Sequence, residues 1–130
     1  MNHSLGYLLV FLGGGIGSML RHATNRVGLA WLGAAFPWST LFVNVAGSFV
    51  MGLLAGWFAY RGEQSTQSLR LFLTTGMMGG FTTFSTFSLD TVLLWERGQP
   101  WATGGYVLAS LMVAVAGLVA GLAVVRSVAG

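Results

Sequence analysis

The chain has 130 residues, of which 55% are hydrophobic and 7% charged, with a formal net charge of +3 and a mean hydropathy of +0.75. A water-soluble domain carries about 25% charged residues, so this chain cannot cover a water-facing surface and is expected to be an all-α integral membrane protein of a single domain. It has no cysteine, which excludes disulfides and thiolate metal sites. Its six basic residues, all arginine, are scattered at segment ends, which excludes the clustered basic face of a nucleic-acid binder.

A helix crossing the bilayer core needs about 20 mostly apolar residues. The first such stretch covers residues 4–21; Leu5 to Leu20 carries no charge, and Arg21 can extend the span by snorkelling. No Lys or Arg precedes it, so it lacks the charged start of a signal peptide and is expected to stay as a membrane anchor. From His22 to Phe36 a loop is expected, with Val27 to Leu32 as a short interfacial helix. The second span, 37–60, opens at Phe36-Pro37-Trp38 and stops at Arg61-Gly62-Glu63. The third, 70–95, closes at Trp95-Glu96-Arg97-Gly98, and the fourth, 101–125, lies between Pro100 and Arg126. Trp38, Trp57, Tyr60, Trp95 and Trp101 fall near segment ends, as an aromatic belt requires. Long continuous apolar runs argue against a barrel, whose strands alternate over about 10 residues.

Four spans put both termini on one side. Arg21, Arg26 and Arg97 then face one way and Arg61, Arg70 and Arg126 the other, so the positive-inside rule has nothing to act on. The tie is either chance or selection for insertion in both orientations, which would permit an antiparallel homodimer. Gly13/Gly17, Gly52/Gly56, Gly76/Gly80 and Gly117/Gly121 are each four apart, a spacing that lets helices approach closely within a subunit or between subunits. Four thin helices can barely enclose a hydrated path, so a homo-oligomer, most simply a twofold dimer, is expected.

Polar residues at bilayer depth are costly and tend to face protein or water. Thr40, Asn44 and Ser48 share one face of span two. The two hydroxyls are expected to bond back to carbonyls four residues earlier. The Asn44 amide has donors that its own helix cannot satisfy, which gives it a functional or subunit-contact role. In span four, Tyr106 and Ser110 share a face, either as an interfacial Tyr with a back-bonded Ser or as part of a polar path. Arg21 is read as a snorkelling anchor or as positive potential at an anion vestibule.

The third span holds the most unusual stretch, GMMGGFTTFSTFSLD from Gly76 to Asp90. Gly76, Gly79 and Gly80 invite a helix break. Unpaired backbone groups at membrane depth must then bind an ion, water or protein. Freed carbonyls suit a hard monovalent cation and freed amides an anion. Beyond the glycines, Phe81, Phe84 and Phe87 form one stripe. Thr83, Thr86 and Asp90 lie roughly opposite, with Thr82 and Ser85 between them. No nucleophile–base pair or metal-ligand cluster appears, so an enzyme is not expected.

GGGIGSMLRH, PWSTLFVNVAGSFVMG and TGMMGGFTTFSTFSLD, with Tyr106 and Ser110 in span four, resemble the Fluc (CrcB) family of small fluoride channels. The resemblance covers the first three segments, and the FTTFSTFS block beside VN-x-x-G is specific. It implies passive export of cytoplasmic fluoride across a bacterial inner membrane by an antiparallel dual-topology homodimer with two pores. It further implies a central, non-transported Na+ held by backbone carbonyls, by position those of Gly79 and Thr82. The pore asparagine corresponds to Asn44 and the paired aromatics to Phe84 and Phe87. Thr83, Ser85, Thr86, Tyr106 and Ser110 fall at or near the polar track, which leaves open which of them touch fluoride. The sequence departs from the family pattern at Asp90, where Glu is usual, at His22, where an aromatic is common, and at Ala114, which has no hydroxyl. The alternative from another class is a small dual-topology drug/proton antiporter. That would need an intramembrane carboxylate, and Asp90, toward the end of span three, is the sole candidate.

Overall fold

In the computed structural model, which describes residues 2–61 and 67–129, the first helix starts where the Asn2 side chain accepts the Ser4 N–H at 2.8 Å. This helix, α1, runs without interruption over His3–Leu32. It therefore continues through the stretch expected to be a loop with a separate short helix. No proline interrupts residues 22–32, and the helix ends only at Gly33, whose φ of 78° places it in the left-handed region that favours glycine. A short turn through Pro37 leads to α2, Trp38–Arg61. Gly62 and Glu63, expected to stop this span, lie outside the described residues.

The next helix, α3, covers residues 67–81. It opens as an α-helix (Gln67–Arg70), widens to π-helix over Leu71–Met78 and closes with Gly79–Phe81. Thr82 and Thr83 are extended, with ψ of 160° and 125°. Helix α4 follows over Phe84–Glu96, and Gly98, with φ of 74°, turns the chain into α5, Pro100–Ala129. No strand occurs among the described residues. Among the described residues three helices are long and apolar enough to cross a bilayer: His3–Leu32, Trp38–Tyr60 and Pro100–Val128.

The helices pack as two close pairs, α1 with α3 and α2 with α5. Glycine makes both possible. A methyl group on Gly13 would sit 2.6 Å from the Phe72 carbonyl oxygen, and one on Gly17 would overlap the Met77 carbonyl. On the other pair, a methyl on Gly52 would overlap the Leu118 carbonyl and one on Gly121 the Phe49 carbonyl. The spaced glycines are thus used for packing within the chain. The same contacts correct the expected location of the helix break. Gly76 and Gly80 are held against the α1 backbone and stay helical, and the helix is lost two residues later, at Thr82–Thr83. Few side chains are fully buried; Val43, Phe58, Leu94 and Tyr106 form the core, while Phe11, Trp31 and Val115 are among many large apolar side chains left outside.

Candidate functional site

The interruption at Thr82–Thr83 is held from α2. Asn44 Oδ1 accepts the Thr83 N–H at 2.8 Å, and Asn44 Nδ2 donates to the Thr83 carbonyl at 3.0 Å. One amide thus satisfies both backbone groups of an extended residue, much as a neighbouring strand would. Gly47, one turn along α2, leaves room for the Thr82 methyl and the Phe81 ring. Thr83 also begins the next helix, its Oγ1 accepting the Thr86 N–H at 3.2 Å.

The carbonyls at the end of α3 divide into two groups. The Met78 carbonyl accepts the Thr82 N–H and the Thr82 hydroxyl, both at 3.0 Å, and the Gly80 carbonyl accepts Arg21 Nε–H at 3.1 Å. The carbonyls of Gly79, Phe81 and Thr82 receive no hydrogen bond among the described residues. Gly79 itself is exposed.

Two cavities meet at Thr83. One is a groove of about 330 Å³ between α2, α4 and α5, whose lining includes Asn44, Ser48, Thr82, Phe84, Phe87 and Ser110. Its walls are mostly apolar, but it carries donors without partners. Ser110 is 7% exposed and its hydroxyl is buried with no hydrogen bond among the described residues. The Asn44 amide has a second N–H beyond the one given to Thr83. The Phe84 and Phe87 rings stand side by side with centroids 5.6 Å apart, and Phe87 continues to Tyr106 at 5.3 Å. Phe84 is 75% exposed, so the groove's outer wall faces away from the rest of the chain. The other cavity, about 310 Å³, is polar and lies on the α1 side, lined by Arg21, His22, Asn25, Thr40, Thr83 and Thr86 among others.

A carboxylate cluster closes the far end. Thr40 Oγ1 donates to Asp90 Oδ2 at 2.8 Å and the Tyr106 hydroxyl to the same oxygen at 3.3 Å, which joins α2, α4 and α5. Tyr106 is fully buried, with the Phe36 ring edge-on at 5.5 Å. Asp90 lines a third cavity of about 230 Å³ that shares Asn25, Ser39, Thr40 and Thr86 with the polar one.

Comparison with known proteins places this arrangement. The family described as CrcB-like protein, Camphor Resistance (CrcB), matches residues 8–122. The chain belongs to the CrcB family. A CrcB relative from Rhodopseudomonas palustris (strain BisB5), named fluoride-specific ion channel FluC, is 58% identical over 122 residues, 94% of this chain and 98% of the relative. FluC 2 of Nitrobacter hamburgensis (strain DSM 10229 / NCIMB 13809 / X14), also named a fluoride-specific ion channel, is 52% identical over 122 residues, again 94% and 98% of the two chains. The Methylobacterium nodulans (strain LMG 21967 / CNCM I-2342 / ORS 2060) relative of the same name is 55% identical over 122 residues, 94% of this chain and 97% of its own length. With its three long apolar helices, this CrcB chain is a multi-pass membrane protein.

In this CrcB chain the residues singled out in the sequence do not form one cluster. Asn44, Thr83, Phe84, Phe87 and Ser110 gather in the groove. Arg21 and Thr86 line the polar cavity, and Tyr106 points into the Asp90 cluster. Ser85 is exposed, 3.3 Å from the Thr83 hydroxyl. Two expectations change. Thr40 does not bond back along its helix but donates to Asp90. Ser48, also expected to bond back, lines the groove instead. Thr40, Asn44 and Ser48 at four-residue spacing were the available signal for both.

Proposed function

We propose that this chain is a fluoride-selective passive channel that exports cytoplasmic fluoride across a bacterial inner membrane. The observation that carries the reading is the groove, in which the orphan Ser110 hydroxyl, the spare Asn44 N–H and the Phe84 and Phe87 rings share one wall system. Fluoride is small and strongly hydrated, and must exchange water for comparable donors. An amide, hydroxyls and electropositive ring edges supply them without a fixed cation to trap the ion, and weak multi-site binding is what conduction needs. The names of the relatives point to the same ion. The carboxylate of Asp90 already receives two hydroxyl donors, which gives no support to a drug/proton exchange site.

The functional unit in this reading is an antiparallel dual-topology homodimer with two pores. Helices α3 and α4 are each roughly 20 Å long, too short to cross alone, and act together as a third span interrupted at mid-membrane. The exposed Phe84 and the outward Gly79 support a second copy as the missing wall. The free carbonyls of Gly79 and Thr82 fit a structural, non-transported Na+, a hard cation that binds carbonyl oxygen and would neutralise unpaired backbone at membrane depth. Thr83 lines the path with Asn44, and Ser85, Thr86, Tyr106 and Arg21 flank it.

Purified protein in liposomes loaded with fluoride, followed with a fluoride electrode, tests the reading. Efflux well above that of protein-free vesicles is expected, with chloride retained. Equal efflux of the two halides, or none of either, would sink it.

A further inference from the structure

We propose that Arg21 is a positioning residue for the cation site, a role that rests on the sodium-bearing dimer above. Gly13, Gly17 and Arg21 recur at four-residue spacing on α1 and so form one stripe. The two glycines bring the α3 backbone into contact, and Arg21, one turn further, reaches its end. There Nε–H donates to the Gly80 carbonyl at 3.1 Å across 59 residues of sequence. A guanidinium at a helix C-terminus also faces the negative end of the helix dipole.

The consequence lies in which carbonyls remain. Consecutive carbonyls at a helix end point in different directions around its axis. Met78 and Gly80 are taken from within the chain, by Thr82 and Arg21, while Gly79, Phe81 and Thr82 are not. Gly80 packs against the Gly14 backbone, and Arg21 pins its carbonyl there, which fixes the rotation of the last turn and leaves Gly79 on the opposite, exposed side. The bland alternative is that Arg21 acts only as a charge, since it also lines the polar cavity with Thr83 and Thr86.

Side-chain chemistry separates the two roles. Arg21→Gln keeps an N–H-bearing nitrogen on Cδ, where Nε stands, but removes the charge. Arg21→Met has similar reach with neither donor nor charge. Arg21→Lys keeps the charge and moves the donor one atom outward. Each variant is compared with the wild type as the reconstituted full-length protein, by amide hydrogen exchange over residues 79–86 and by the sodium concentration giving half-maximal fluoride efflux. Arg21→Met should speed exchange and raise the sodium requirement, each by about tenfold, the size expected for losing one charge-assisted hydrogen bond. Arg21→Gln should stay within about threefold of wild type, the smaller change expected where a neutral donor replaces a charged one. If Gln and Met change both readouts alike, or if Met changes neither, the positioning role is overturned. If Arg21→Met does not fold, the order of Gln and Lys decides: positioning puts Gln nearer wild type in exchange, charge puts Lys nearer. Wild-type efflux indifferent to sodium would refute the cation reading while leaving the exchange result to judge Arg21.

Discussion

Asn44 shows how much one side chain can settle. Its amide is oriented by two bonds of opposite polarity to Thr83, so it cannot turn over without setting oxygen against oxygen. Its Nδ2 keeps a second N–H to offer the groove. Asn44→Asp replaces that donor with a second acceptor and repels the Thr83 carbonyl; fluoride efflux should fall by at least about tenfold, one charge-assisted hydrogen bond's worth, while the protein still elutes at the wild-type volume. Retained efflux would remove Asn44 from the path. Ser110 predicts a divergence between stability and function. Its hydroxyl is buried without a partner among the described residues, an arrangement that costs about 1–3 kcal/mol. Ser110→Ala should therefore leave the melting temperature in detergent unchanged or raised, and lower efflux several-fold. A variant that melts lower would show that Ser110 has a structural partner instead.

At the level of elements, the glycines and the interruption have separate jobs. Gly17→Ala would drive a methyl into the Met77 carbonyl and should abolish the folded-protein peak on size-exclusion chromatography. Gly15→Ala meets nothing within 4 Å and should behave as wild type. Equal behaviour of the two would mean that the α1–α3 contact is looser than described. This division also explains what could be read from the sequence. The three membrane-length helices and an interruption somewhere within Gly76–Asp90 were legible, because run length and residue type report directly on solvent. The location of the break was not. Glycine's intrinsic flexibility pointed to residues 76–80, but tertiary contact with α1 keeps those helical, and Asn44, 39 residues away, is what holds Thr83 extended. The length of α1 was missed for a related reason: the polar residues 22–26 look like a loop that would set Val27–Leu32 apart, yet nothing in them stops a helix before Gly33. Asp90 was noted, but its two hydroxyl partners come from α2 and α5, which no local spacing reveals.

The whole molecule leaves its groove walled on one side, with Phe84 facing outward. A second copy in the opposite orientation should complete it. An N-terminal protease-cleavable tag should then be cut in about half of the molecules from either side of a sealed membrane, the ratio closed twofold pairing demands. Cutting from one side alone would exclude dual topology. The pairing of helices within each copy has a further consequence, for biosynthesis. The tightest partners are α1 with α3 and α2 with α5, so neither pair consists of chain neighbours. Insertion cannot settle one hairpin at a time: α2 must wait in lipid, its glycine face bare, until α5 arrives. The last helix made is therefore the one that closes the α2 side of the groove. A chain stopped short of it should be cleared by proteolysis rather than persist as a smaller pore.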